Sequence, residues 1–168
     1  NKEGVIYIRT DKDDKIYGIS AEPFSYLELD PFSFLSDFAF LRNIMTVKHI
    51  NYTHNNLVAD FVISALDDEN VDVKKNGKLM SQEKFKELYT ELISISVAGA
   101  YDGVFPGKAF LSYTFDYNDL STEKVEFYKI DERRAALSVN GKCQFYVNMV
   151  ELNEKLEKID IKLGVIKK

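Results

Sequence analysis

The stretch AALSVNGKCQFYVNMVEL, residues 135–152, predicts a β-hairpin that leads directly into a helix. Asn140-Gly141 separates two apolar runs and supplies the two positive-φ residues that a type I′ turn requires. After the second run, Asn148 is of a residue type that caps helix N-termini, and Val147 and Leu152 have the spacing of a hydrophobic staple. The predicted order is therefore strand, tight turn, strand and helix.

The same cap-and-staple pattern occurs at two earlier places in the chain. The three instances are Ile19-Ser20…Phe24, Met80-Ser81…Phe85 and Val147-Asn148…Leu152. The caps lie roughly 60–70 residues apart, which is long for a solenoid unit and leaves room for several strands and one helix in each unit. We therefore predict about two to three repeated strand-to-helix units. In the middle unit, Asn76-Gly77 leaves space for only a very short return strand before Ser81.

The composition is that of a folded protein without a strongly charged surface. The 168 residues are 45% hydrophobic and 29% charged, which is sufficient for a buried core. The 22 Lys and Arg residues against 27 Asp and Glu residues give a net charge of −5, so we expect no nucleic acid partner. A single cysteine, Cys143, excludes a disulfide framework and a multi-cysteine metal site.

The sequence contains no apolar run of the ~20 residues that a membrane-spanning helix needs. It begins at Asn1 rather than Met, and a strand pattern starts at Val5. We therefore expect an excerpt of a longer protein, in which a signal, an anchor or an earlier domain precedes these residues.

Most segments before and between the caps have the composition of strands, because they are short, rich in β-branched or aromatic residues, and bounded by Asp, Asn and Gly. The predicted strands are Val5–Arg9, Lys15–Ile19, Met45–Tyr52, Ala59–Leu66, Val71–Lys75, Ala109–Phe115 and Lys124–Ile130. Apolar residues recur at helical spacing after two caps, at Phe85, Leu88, Tyr89 and Leu92 and at Leu152, Leu156 and Ile159. Each helix has a single apolar stripe. We predict an α+β fold of antiparallel hairpins with capped helices packed on one face, as one folded region over residues 1–168.

An aromatic segment, Leu27–Leu41, fits neither pattern well. Six large apolar side chains follow Pro31, namely Phe32, Phe34, Leu35, Phe38, Phe40 and Leu41. We predict a helical turn or an irregular strap packed on the core, with Phe34, Leu35 and Phe38 facing inward. The alternative is that the strap forms a platform for a ligand.

The order of these motifs resembles the family called domain of unknown function 4340. The matching N-terminal features are the hairpin with Tyr17-Gly18-Ile19-Ser20, then Leu29-Asp30-Pro31, Phe61–Asp72, Asn76-Gly77-Lys78 and the capped helix. The matching C-terminal features are Phe127–Arg134, Leu137–Lys142 and Phe145-Tyr146-Val147 before the final helix. Many members have a Trp shortly before the turn that precedes the capped helix, whereas this chain has Val71-Asp72-Val73 and no Trp.

Members of the family that this chain resembles are typically longer and are tethered by an N-terminal membrane segment. They often occur with ABC-type export or gliding-motility components. The resemblance implies an extracytoplasmic location, attachment to the membrane through a segment absent from these residues, and membrane transport-complex proteins as partners.

Two motifs resemble ligand-binding loops. Gly99, Gly103, Gly107 and Lys108 resemble a phosphate loop, but the spacing is short and Ala109 replaces the Ser or Thr that would hold Mg²⁺. Asp11, Asp13 and Glu22 resemble a calcium loop, but Lys15 removes a ligand and Ile16 replaces the required Gly. We interpret the first as a connecting loop and the second as a solvated hairpin turn, and we predict no cofactor or metal.

No catalytic set is evident either. His49 lies in a strand pattern and His54 in a turn, and neither is near a Ser or Cys in a recognised nucleophile motif. Cys143 opens a strand, which favours a buried thiol. The acidic run Asp67-Asp68-Glu69 is typical of a hairpin turn. We therefore predict no catalytic residues from sequence.

Two functions remain open at this point. The first is a non-enzymatic, extracytoplasmic interaction module, linked to an ABC-type transport system as the resemblance implies. The second is an enzyme whose site forms only in three dimensions. For the module we predict partner contacts on the loop Gly99–Gly107 and the adjacent Lys108, through Tyr101, Phe105 and Lys108. The alternative for this loop is a connection whose aromatic side chains fold back on the core.

Overall fold

The computed structural model describes residues 5–9, 16–20, 42–67 and 70–165. The chain divides into two compact units, residues 1–35 and 36–168. In the first unit, β1 (Val5–Arg9) and β2 (Ile16–Ser20) form an antiparallel hairpin in which Val5 lies opposite Ser20. Both strands were predicted from sequence. A single folded region over residues 1–168 stays a prediction.

The second unit contains, within its described residues, a nine-stranded antiparallel sheet and two α-helices. Its strands are β3 (Val47–His54), β4 (Leu57–Ala65), β5 (Val71–Lys75), β6 (Lys78–Met80), β7 (Gly99–Ala100), β8 (Leu111–Tyr117), β9 (Thr122–Lys129), β10 (Arg134–Val139) and β11 (Lys142–Asn148). Its helices are α1 (Gln82–Ile93) and α2 (Met149–Leu163), and a 3-10 turn, Ile44–Thr46, precedes β3. The predicted α+β class with antiparallel strands is confirmed, although strands predominate.

The sheet consists of two meanders side by side. Its strand order is β6-β5-β4-β3-β8-β9-β10-β11-β7, so β3 to β6 are successive neighbours, and so are β8 to β11. The first meander leads into α1 and the second into α2. Strands β3 and β8 pair in the middle of the sheet, where Tyr52 lies opposite Tyr113. The chain between α1 and β8 forms the short edge strand β7 beside β11.

Each meander contains an Asn-Gly turn of the predicted kind. Asn76 and Gly77 have φ values of 48° and 77°, and Asn140 and Gly141 have φ values of 51° and 77°. The Asn76 side chain accepts a hydrogen bond from the backbone N–H of Asp60, and the Asn140 side chain accepts one from Lys124, both at 2.8 Å. Each turn is therefore tied in the same way to the strand before its hairpin, the first to β4 and the second to β9. The return strand β6 has three residues, as predicted.

The two helices begin at the predicted caps. The Ser81 hydroxyl accepts a hydrogen bond from the N–H of Lys84 at 3.4 Å, and the Asn148 side chain accepts one from Val150 at 2.8 Å. The predicted apolar stripes are buried in one core with the sheet: Phe85, Leu88, Tyr89 and Leu92 in α1, and Leu152, Leu156 and Ile159 in α2. Gly164, with a φ of 77°, ends α2 in the left-handed conformation that favours glycine.

The two faces of the sheet differ in composition. One face packs under the helices and contributes large buried side chains, including Ile50, Tyr52, Phe61, Phe115 and Phe127. The other, which we call the polar face, carries cross-strand pairs such as Asn51 opposite Thr114 and Thr53 opposite Ser112. The pairing of β3 with β8 is irregular between Val47 and His49, as in a β-bulge. This irregularity allows Val47 and Ile50 both to face the core while His49 lies on the polar face.

Several predictions fall outside the described residues. These are the aromatic strap Leu27–Leu41, the helix expected after Ser20, and the turn with Asp11 and Asp13. Among the helices that the structure describes, none has the length and apolar character needed to cross a membrane.

Candidate functional site

The segment Gly99–Lys108, predicted as the partner contact, starts at the edge of the sheet beside β11. Gly99 pairs with Tyr146, and the backbone N–H of Tyr101 donates a hydrogen bond to the carbonyl of Gln144 at 2.8 Å. A methyl group at Gly99 would overlap the ring of Tyr146, so glycine permits this close approach. The sheet edge thus fixes where the segment starts.

The rest of the segment exposes two apolar side chains, Val104 and Phe105, to different degrees. The Tyr101 hydroxyl donates a hydrogen bond to the carbonyl of Val104 at 2.9 Å, which closes a small loop around the Tyr101 ring. Val104 is 89% exposed and Phe105 is 40% exposed, whereas Tyr101 is half-buried. Lys108 is exposed. The recognition hypothesis would fail if Tyr101 and Phe105 were both buried, and neither is, so the contact stays a prediction.

Phe105 connects the segment to the polar face. Its ring lies against that of Tyr128 in β9, with the ring centroids 4.7 Å apart and the planes inclined by 30°. Burial and the neighbouring Glu126 carboxylate raise the pKa of Tyr128, so its hydroxyl is protonated at neutral pH. The aromatic pair holds the loop against the sheet while leaving part of Phe105 in contact with solvent.

A cleft of about 780 Å³ lies beside this aromatic pair. Its lining includes Lys108 of the segment and Tyr128 of β9. It also includes polar side chains from three neighbouring strands, Thr53, Ser112 and Glu126, which lie opposite one another in register. Glu126 forms an ion pair with Lys124 at 2.7 Å. The cleft therefore presents hydroxyl groups, an ion-paired carboxylate and an exposed ammonium group next to an aromatic surface.

His49 lies elsewhere on the polar face, between two carboxylates. Its Nε2 atom is 2.6 Å from Oδ1 of Asp60 in β4, and its Nδ1 atom is 2.9 Å from Oδ2 of Asp116 in β8. Burial lowers the pKa of His49, but the hydrogen bonds to the two carboxylates outweigh it and raise the pKa above the usual value. The sequence pattern predicts the strand that contains His49 but identifies neither acidic partner.

The second histidine, His54, lies at the end of β3. Its Nδ1 atom is 3.8 Å from a carboxylate oxygen of Asp160 in α2, and its Nε2 atom is 3.1 Å from the side-chain amide of Asn55. The other carboxylate oxygen of Asp160 is buried and has no hydrogen-bond partner among the described residues. Within the part of the chain that the structure describes, the hydrogen-bond partners of the two histidines are Asp and Asn side chains rather than a Ser or Cys nucleophile.

Other reactive groups also lack a catalytic arrangement. Burial raises the pKa of the Cys143 thiol, which disfavours the reactive thiolate. The half-exposed Arg42 binds the buried Glu123 carboxylate through two nitrogens, and the Tyr117 hydroxyl donates to the same carboxylate at 2.9 Å. Within the described ranges, no three His, Cys, Asp or Glu side chains are arranged to hold a metal ion.

Comparison of the chain with protein-family models, with curated proteins and with solved structures found no match.

Proposed function

We propose that this chain is a non-enzymatic interaction module whose partner binds the recognition surface, defined as Tyr101, Val104, Phe105, Lys108 and the adjoining cleft. The observation that supports the proposal most strongly is the exposure of Val104 and Phe105 on a loop with a fixed conformation. The hydrogen bond from the Tyr101 hydroxyl to the Val104 carbonyl and the contact between Phe105 and Tyr128 hold this loop in place. A loop held in one conformation loses little conformational entropy on binding, and exposed aromatic side chains supply much of the energy of protein interfaces.

The structure offers less support for an enzyme. A histidine that acts as a general base needs a ring nitrogen available to the substrate, but both nitrogens of His49 face carboxylates. Three further clefts lie at the α1 N-terminus, beside the Arg42 ion pair and at the turn between β9 and β10. Neither histidine lines any of these clefts or the cleft at the recognition surface. These observations favour the interaction module over an active site.

The partner that we propose is a protein of a membrane transport complex. Its support is the resemblance to domain of unknown function 4340, which also suggests an extracytoplasmic location and an anchor outside these residues. The recognition surface adds a chemical expectation, because Phe105 and Val104 suit an apolar contact and Lys108 suits a neighbouring carboxylate on the partner.

Site-specific photo-crosslinking in cells that naturally produce the protein tests this proposal. A photoreactive amino acid at Val104 should capture a discrete partner, which is then identified by mass spectrometry. Leu120 is the matched control, because it is also apolar and is 81% exposed, but lies in the turn between β8 and β9. Equal capture from both positions, or no capture from Val104, would contradict the proposal.

We also propose that the two meander-and-helix segments, residues 47–93 and 111–163, are copies of one structural unit. The support is their shared strand order and the matching hydrogen bonds of Asn76 and Asn140, each to a residue 16 positions earlier. Superposition of an experimental structure of the two segments tests this. The four strands and the helix of one segment should superimpose on those of the other with a single rotation and translation. A helix that lies in a different direction in the two segments would contradict the proposal that they are copies of one unit.

A further inference from the structure

The Asp60–His49–Asp116 cluster connects three neighbouring strands in the middle of the sheet. Asp60 lies in β4, His49 in β3 and Asp116 in β8, and β3 with β8 forms the junction between the two meanders. His49 lies next to the irregular pairing of β3 with β8, and its ring contacts both carboxylates. The cluster lies outside the recognition surface, so its role does not depend on the proposed function.

The number of protons on the ring follows from its neighbours. A neutral imidazole has one N–H group and one lone pair, so it can donate to only one carboxylate. The distances of 2.6 and 2.9 Å bring a carboxylate oxygen to each nitrogen. With a neutral ring, one of these contacts would place a nitrogen lone pair against an anionic oxygen, whereas an imidazolium donates to both.

We propose that His49 binds a proton in the folded state and acts as a pH-dependent clamp, which links β3 to both β4 and β8 while protonated and loses one of these two links when the proton dissociates. The clamp is a regulatory element of the fold rather than a catalytic group. Since it spans the β3–β8 pair, its release weakens the junction at which the two meanders meet.

The surroundings of Asp116 favour the ionised form of its carboxylate. The Thr122 hydroxyl donates to Oδ1 of Asp116 at 2.8 Å, and this bond, opposed by burial and aided by His49 and Lys48, lowers the pKa of Asp116. The charged and polar groups that act on this cluster include Asp60 of β4, Asp116 of β8, the Thr122 hydroxyl of β9 and Lys48 of β3 itself. Two carboxylates and one nearby ammonium group leave a net negative field at the ring, which favours its proton.

The direction of the pH dependence follows from these shifts. His49 has a raised pKa in the folded state, so its stabilising effect is complete below the pKa of the unfolded chain and is lost as the pH rises through the folded value. Asp116 has a lowered pKa, so its contribution is lost only as the pH falls through that lower value. The clamp is therefore intact at pH values between the lowered pKa of Asp116 and the raised pKa of His49. It is lost when the pH rises above the pKa of His49.

Nuclear magnetic resonance of the side-chain nitrogens tests the proposal directly. In the intact chain at about pH 7, both ring nitrogens of His49 should carry a proton. The H54Q variant retains His49 as its one histidine, so its spectrum assigns the His49 signals. The D116N variant should lower the pKa of His49 by about one unit, which is a tenfold loss of proton affinity. D72N, which removes an exposed carboxylate from β5, is the control and should change it far less.

A stability measurement provides a second readout. The difference in urea midpoint between the natural chain and H49Q should be largest below the pKa of His49 and should shrink as the pH rises through it. A single N–H on His49 at neutral pH, an unchanged His49 pKa in D116N, or a difference that grows with rising pH would each overturn the proposal.

Discussion

Two phenylalanine-to-alanine substitutions should have opposite consequences, because the two rings lie in different environments. Phe85 in α1 is fully buried, with the ring centroids of Phe61 at 5.6 Å and Tyr89 at 6.0 Å. Its removal leaves a cavity in the core, and Phe85→Ala should lower the free energy of unfolding by about 3–5 kcal/mol. Phe105 is 40% exposed and contacts Tyr128, so Phe105→Ala should cost only about 1 kcal/mol.

Urea unfolding followed by circular dichroism measures both values, and fluorescence from the ten tyrosines serves as a second probe because the chain has no Trp. A domain typically has a stability of about 5–15 kcal/mol, so Phe85→Ala should shift the midpoint strongly and Phe105→Ala only slightly. If Phe105→Ala destabilised the chain as much as Phe85→Ala, the loop ring would be a core residue. The recognition surface would then have no basis.

Three further substitutions test local parts of the fold by the same urea assay. Asn148→Ala removes the cap of α2 and should cost about 1 kcal/mol, and an unchanged midpoint would argue against a cap at this residue. Gly141→Ala places a side chain at a φ of 77° and should cost about 1 kcal/mol, whereas no loss would show that the turn tolerates alanine. Glu123→Gln keeps the shape but removes the charge that faces Arg42 and should cost about 1–3 kcal/mol, and no loss would mean that the ion pair contributes nothing.

The features that sequence predicted well are those decided by neighbouring residues. An Asn-Gly turn depends on two residues with positive φ, and a cap depends on one side chain and the next turn of helix. Asn140-Gly141, Ser81 and Asn148 therefore appear in the structure where the sequence placed them. The apolar stripes of α1 and α2 were predictable for the same reason, since their spacing lies within one helix.

The His49 cluster was only partly accessible from sequence. Asp60 is 11 residues from His49 and lies in β4, the hairpin partner of β3. The alternation of polar residues in these two strands, on either side of the turn after His54, was therefore a usable sequence signal for this contact. Asp116 is 67 residues away, and its place depends on the pairing of β3 with β8. Nothing local specifies which non-consecutive strands become neighbours, or their register.

The contact of the loop with the sheet was inaccessible for a similar reason. The sequence identified Phe105 as an aromatic residue in a glycine-rich loop, but its neighbour Tyr128 lies in β9, beyond the whole of β8. The composition of the loop therefore permitted two readings, an exposed contact surface or aromatic side chains folded onto the core. The structure shows an intermediate case, because Phe105 packs on Tyr128 and still remains 40% exposed.

The affinity of the captured partner for variants of the recognition surface tests the central claim most directly. Isothermal titration of the purified partner should show that Phe105→Ala weakens binding by about tenfold or more, equivalent to at least ~1.4 kcal/mol, as expected for an aromatic residue at the centre of an interface. Leu120→Ala, an exposed apolar side chain outside the surface, should leave the affinity within about twofold. Equal affinities for the Phe105→Ala variant and the natural chain would contradict the account.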